Sequence, residues 1–130
     1  MKAKLYHMQL NVSKKSLLFY RELLRFLDYK IIDESKDHIG ASDGSTDLWI
    51  IKTEGKYSIN GFHRKNTGVN HLAFKVKNKK DVDQFYKKFL IRKKIKVLYN
   101  SPKFFPKYSK DYYAVFFEDP ERIKLEVVSI

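Results

Sequence analysis

Apolar residues recur along this chain at two spacings, and the spacings alternate. Met8, Leu10 and Val12 are interleaved with His7, Gln9 and Asn11, the period of two expected of a half-buried strand. Leu17, Leu18, Phe19, Leu23, Leu24 and Leu27 then form a wide helical stripe, with Ser13 placed to cap it. The same succession returns later. Leu72, Phe74 and Val76 alternate with His71, Ala73 and Lys75, and Val82, Phe85, Phe89 and Leu90 make a second stripe behind Asn78. Three strand-like segments follow each helix. They are YKIIDE, HIGASD and DLWIIKT in the first half, and IKVLYN, DYYAVFFE and RIKLEVVS in the second. DGST and the Asp119-Pro120 step supply turn signals between the last two strands of each set. The expected order is βαβββ, twice.

The two halves align. His7 falls on His71, Leu10 on Phe74 and Val12 on Val76, and after a drift of two residues Phe19-Tyr20 falls on Phe85-Tyr86. A repeat of half the chain sets the organisation before any single motif does. Module 1 is expected over about 1–54, a linker over 55–68 and module 2 over about 69–130, together one domain, which suits a length of 130 residues. The stretch SPKFFPKYSKD reads as a loop whose aromatics either close over a site or pack on the sheet.

Composition narrows the chemistry. There is no cysteine, so disulfides, thiolate ligands and thiol catalysis are excluded. A reducing cytoplasm is compatible with that, and no apolar run is long enough to span a membrane. The formal charge is +12, from 27 basic and 15 acidic residues. The lysines are dispersed and outnumber the arginines, which points to a solvated basic surface; an anionic small-molecule partner also fits, and nucleic acid comes last. No phosphate-binding loop, dinucleotide glycine pattern or nucleophile elbow is present.

By parity, His7, His71 and Glu126 all sit on the strand faces opposite their apolar neighbours. A buried Glu126 without a partner would be costly, and a cation or a basic side chain would remove that cost. A half-buried histidine is more often hydrogen-bonded structure than a ligand. His38, beside a turn, and His63, in the basic loop GFHRKNTG, are weaker candidates. Of the adjacent Tyr112 and Tyr113, alternation turns one inward and the other outward.

The histidine-bearing first strand, FYRELL, GVNHLAFKV and YYAVFFEDPERIKLEVV, in this order, resemble the vicinal oxygen chelate superfamily of glyoxalases, bleomycin-resistance proteins, fosfomycin-resistance enzymes and extradiol dioxygenases. The resemblance covers essentially the whole chain. It implies an α+β fold in which two βαβββ modules form a curved, cup-like mixed sheet, the glyoxalase-like fold. It also implies one divalent metal held by His7, His71 and Glu126, with Fe, Mn, Co, Ni and Zn all chemically open. Glu126 and Tyr113 are the expected catalytic residues. The implied function is metal-dependent chelation of a small oxygenated molecule, leading to lyase, isomerase or dioxygenase chemistry. The alternative is a metal-free module that sequesters a drug or metabolite. A cytoplasmic homodimer is implied as well. Module 1 departs from the family pattern: aligning Asp43 with Asp119 sets Ile50 where a carboxylate is often found.

Overall fold

A computed structural model describes residues 1–58 and 61–130; residues 59 and 60 of the expected linker lie outside the described residues. The chain divides into two compact units, Met1–Gly61 and Phe62–Ile130. Each is a helix packed on one face of a four-stranded mixed sheet, so the fold is α+β, with the expected βαβββ order in each half.

Unit 1 runs β1 (His7–Val12), α1 (Lys14–Phe26), β2 (Lys30–Glu34), β3 (His38–Ser42) and β4 (Asp47–Lys52), in the spatial order β1-β4-β3-β2. The β1–β4 pair is parallel and the others are antiparallel. Ser13 begins α1 by accepting a hydrogen bond from the Ser16 N–H at 3.3 Å. Asp28 ends it in the left-handed region, at φ 58°, where backbone bonds back to Arg25 and Leu24 close the last turn. Leu17, Phe19, Tyr20, Leu23 and Leu24 are buried, but Leu18 is exposed and Leu27 only partly covered. A helix of 3.6 residues per turn puts Leu18 on the side of Glu22 and Arg25, while Tyr20 joins Leu17 and Leu24.

Unit 2 repeats the plan with β5 (His71–Lys75), α2 (Lys79–Phe85), β6 (Val97–Phe104), β7 (Tyr113–Glu118) and β8 (Lys124–Ser129), ordered β5-β8-β7-β6. Asn78 Oδ1 caps α2 by accepting from the Asp81 N–H at 3.0 Å. Here the expected stripe of Val82, Phe85, Phe89 and Leu90 is wholly buried. The helix widens into a π-helical turn over Tyr86–Ile91, and the Phe85 and Phe89 rings stack at 5.2 Å.

β6 differs from expectation. It continues four residues past IKVLYN, taking Ser101–Phe104 from the expected loop. Tyr99 and Asn100 sit at φ 60° and 51° and shift the register between Leu98 and Lys103. Ser101 holds this bulge: its hydroxyl donates to the Leu98 carbonyl at 2.7 Å and accepts the Phe116 N–H at 2.9 Å. A side-chain oxygen thus takes over a rung of the ladder, and pairing resumes beyond it.

Candidate functional site

The two faces of the unit 2 sheet are set by strand alternation. Val115, Phe117, Leu125 and Val127 are buried, with Phe117 meeting the Phe85 ring of α2 at 5.3 Å. Ala114, Phe116, Lys124 and Glu126 fall on the other face. Phe116 is in register with Glu126, Ala73 of β5 with Glu126 from the other side, and His71 with Lys124. This face lines a cavity of about 780 Å³.

Glu126 lies in the floor of the cavity, only 1% exposed. Tyr112 donates its hydroxyl to Glu126 Oε1 at 2.6 Å. His71 Nε2 stands 3.4 Å from Glu126 Oε2. On the far side of the imidazole, Asn70 fixes the ring. Asn70 Nδ2 donates to the Arg64 carbonyl at 3.1 Å, which leaves Oδ1 to accept from His71 Nδ1–H at 2.9 Å. Burial, and then the Lys124 ammonium, hold the His71 pKa below its ordinary value of 6.5, with Glu126 opposing them in part. The imidazole is therefore neutral near pH 7, with its Nε2 lone pair turned toward a carboxylate oxygen. Two acceptors facing each other are the arrangement that a proton or a cation bridges. Burial, followed by the bond to Glu126, pushes the Tyr112 phenol well above its usual range, so Tyr112 keeps its proton and acts as a donor.

The structure brings His71 and Glu126 together. His7 lies on β1 of unit 1, exposed, with the Tyr6 ring edge-on at 5.3 Å. Among the described residues, no three His, Asp or Glu side chains gather closely enough to hold a metal ion. Tyr113 turns to the helix side, where its hydroxyl donates to Asp83 Oδ1 of α2 at 2.8 Å. Of the two neighbouring tyrosines, Tyr112 is the one at the cavity. His38 is hydrogen-bonded at both ring nitrogens, to Ser35 and Asp33, and His63 Nδ1 accepts the Lys65 N–H.

Register also corrects the alignment of the last strands. Ala73, two residues after His71, pairs with Glu126, and Gln9, two residues after His7, pairs with Trp49. Trp49, and not Ile50, therefore occupies the place of Glu126. Ile50 is fully buried on the helix-facing side. The turn after Asp43 is one residue shorter in effect than the turn after Asp119, so matching the aspartates misplaces the strand by one.

The loop aromatics Phe105 and Tyr108 pack on the sheet and line the cavity. Phe105 is buried against Phe116 at 5.1 Å, and Tyr108 packs between Phe105 and Tyr112 at 6.0 and 5.1 Å. All four rings line the cavity. The roles of Asn70, Tyr112 and Lys124 escaped the sequence reading. Parity with Phe116 is the signal that marks Tyr112, but it speaks only once the β7–β8 register is known.

A two-unit α+β chain with an aromatic-walled pocket on the open face of a βαβββ sheet defines the class. The comparisons define the family. No family model matches the chain. It is 35% identical over 127 residues to the uncharacterized protein YqjT of Bacillus subtilis (strain 168), covering 96% of this chain and 98% of that one. A crystal structure from Bacillus halodurans described as a "putative glyoxalase" matches with a TM-score of 0.86 at 35% identity, over 97% of this chain and 95% of the other. The fosfomycin resistance protein FosX of Listeria monocytogenes matches in fold alone, with a TM-score of 0.69 at 14% identity over 100% and 93% of the two chains. Lactoylglutathione lyase of Agrobacterium tumefaciens does likewise, at 0.63 and 16% over 98% and 94%. The chain belongs to the vicinal oxygen chelate superfamily.

Proposed function

We propose that this protein binds a small oxygenated molecule in the unit 2 cavity and holds it against a divalent metal at His71 and Glu126, for lyase, isomerase or dioxygenase chemistry. One observation carries the reading: a neutral imidazole, locked in one tautomer by Asn70, presents its Nε2 lone pair to a buried carboxylate oxygen 3.4 Å away. A nitrogen and an oxygen donor so arranged fit a divalent transition metal, and an orienting partner behind the histidine is usual for a ligand. The resemblance implies His7 as a third donor. When bound, the metal would act as a Lewis acid on two adjacent substrate oxygens.

The chain's own residues supply the rest. Tyr112 holds Glu126 Oε1 and leaves Oε2 directed at His71. Glu126 is the natural acceptor for a substrate proton in this floor, and the Tyr112 hydroxyl, whose one proton goes to Glu126, offers a substrate only its oxygen lone pairs. Phe105 and Phe116 keep water from the inner wall. The two units acting as one domain, assembly as a homodimer and a cytoplasmic location belong to the same proposal. They are carried by the resemblance. Among the described residues, no helix is long and apolar enough to cross a membrane.

A second reading is a metal-free binding module. The aromatic lining of the cavity, with Tyr99, Phe105, Tyr108 and Phe116, favours it. Metal stoichiometry separates the two. Protein purified without a histidine tag is reconstituted with Fe(II), Mn, Co, Ni and Zn, beside His71→Ala, Glu126→Gln and His7→Ala. Near one metal per chain in the wild type, lost in the first two variants, supports the metal reading; loss in His7→Ala adds the third donor. Equal loading of wild type and His71→Ala, or none at all, overturns it in favour of the binding module.

A further inference from the structure

The cavity carries more information than its floor. Tyr99 and Tyr108 are large aromatic side chains left 49% and 56% exposed, and both line the same concavity. Tyr99 meets Phe116 edge-on at 5.3 Å, and Tyr108 leans on Phe105, so the rings form connected walls rather than isolated surface residues. Half-exposed aromatic surface gathered in a pocket is surface held ready for an apolar partner.

Three ammonium groups stand among these rings. Lys103 Nζ lies 5.3 Å from the Phe105 ring centre, Lys107 Nζ 4.9 Å from that of Tyr108, and Lys124 Nζ 5.8 Å from those of Tyr99 and Phe116. All three residues line the cavity. Among the described residues, none of the three has a carboxylate within ion-pair distance. The lining contains a single acid, Glu126, which is buried and already engaged by Tyr112. Cation–π contacts hold the lysine heads near the rings without neutralising them. The mouth and walls of the pocket are therefore positive and aromatic at once.

We infer that the ligand of this cavity is a planar aromatic carboxylate, whose ring lies against Tyr99, Tyr108 and Phe116 and whose acid group is met by Lys103, Lys107 and Lys124. The inference rests on the reading that this cavity is the ligand site, and it is independent of the metal. Apolar walls alone would accept a neutral arene equally well. Lysines alone would accept any anion. The combination selects molecules that carry both features, and screening by salt affects only the second.

The test uses calorimetric titration of the full chain, stripped of metal with EDTA and dialysed into low salt. Three probes of similar size are compared: 2-naphthoate, 2-naphthamide and decahydro-2-naphthoate. The expected result is that 2-naphthoate binds at least tenfold more tightly than either of the others. Lys124→Ala and the double variant Lys103→Ala/Lys107→Ala should each weaken 2-naphthoate severalfold and leave 2-naphthamide unchanged. Tyr108→Ala should weaken both naphthyl probes. Melting curves of each variant confirm that it is folded. No binding of 2-naphthoate at millimolar concentration, equal binding of the acid and the amide, or an unaltered affinity in both lysine variants would each overturn the inference. Because metal is absent throughout, failure of the metal reading leaves this result standing, and the reverse also holds.

Discussion

In the first sheet Gly40 pairs with Trp49, and in the second Phe116 pairs with Glu126. These are corresponding places, fixed by the identical register of β1 on β4 and β5 on β8. The bulk has changed strands. In unit 1 the indole lies flat over Gly40, so closely that a Cβ added there would stand 2.6 Å from Trp49 Cζ3. In unit 2 the large ring sits on β7 instead, and the β8 position is free for a carboxylate, which that ring and Tyr112 help to bury. A shared backbone thus carries a candidate site on one sheet and an aromatic plug on the other. The exchange at this register position leaves unit 1 without the carboxylate, which is why the fold alone does not assign the chemistry.

The largest effect should come from the helix-facing layer, where the two units solve the same packing problem with different volumes. Phe117 occupies the place that Ala41 holds in unit 1, and both are fully buried. Phe117→Ala leaves a void against the Phe85 ring. The expected cost is about 3–5 kcal/mol in urea denaturation. A loss below about 1 kcal/mol, the scale of a mild core trim, would mean that unit 2 collapses readily onto the unit 1 arrangement.

The next test bears directly on the exchanged pair. Gly40→Ala forces Trp49 off the sheet and should destabilise by about 1–3 kcal/mol, the usual cost of overpacking. In Gly40→Ala/Trp49→Ala the clash is gone, so a double-mutant cycle should return a coupling of about 0.5–3 kcal/mol. Additive costs would show that the close approach is not a packing constraint, and that Trp49 is held by something other than Gly40.

Much of this was legible in the chain itself. The alternation in LYHMQLNV and VNHLAFKV fixed which residues share a face, and His7, His71 and Glu126 all lie opposite their buried neighbours as parity requires. The helical stripes were readable to within one position, because Leu18 and Tyr20 differ only by where the 3.6 period places them. Register was not legible. It decides that Trp49 and not Ile50 matches Glu126, and that Tyr112 and not Tyr113 reaches the carboxylate, and it depends on turn lengths and on pairing between distant segments. The extension of β6 was equally hidden, since it depends on Ser101 bonding across the bulge to Phe116.

The smallest expected effect is the most diagnostic for the site. His71 is in register with Lys124, whereas His7 is in register with Asp47. In metal-free protein the His71 imidazole should titrate below its ordinary 6.5, because burial and Lys124 disfavour the imidazolium more than Glu126 favours it. Removing each neighbour gives opposite signs. Lys124→Ala takes away a repulsion and should raise the midpoint; Glu126→Gln takes away an attraction and should lower it further. The ring resonances of His71 can be followed by NMR through one pH series. The linkage has a matching sign. A folded-state value below the unfolded one means that His71 contributes stability above about pH 6.5, lost as the pH falls and the unfolded chain takes up the proton. Lys124→Ala should flatten that loss. If His71 instead titrates above 6.5 in the wild type, the 3.4 Å contact is an ion pair between imidazolium and carboxylate. The lone pair on which the metal reading stands would then carry a proton that a metal has to displace, and below that pH the unit 2 cavity would bind its ligand by charge and shape.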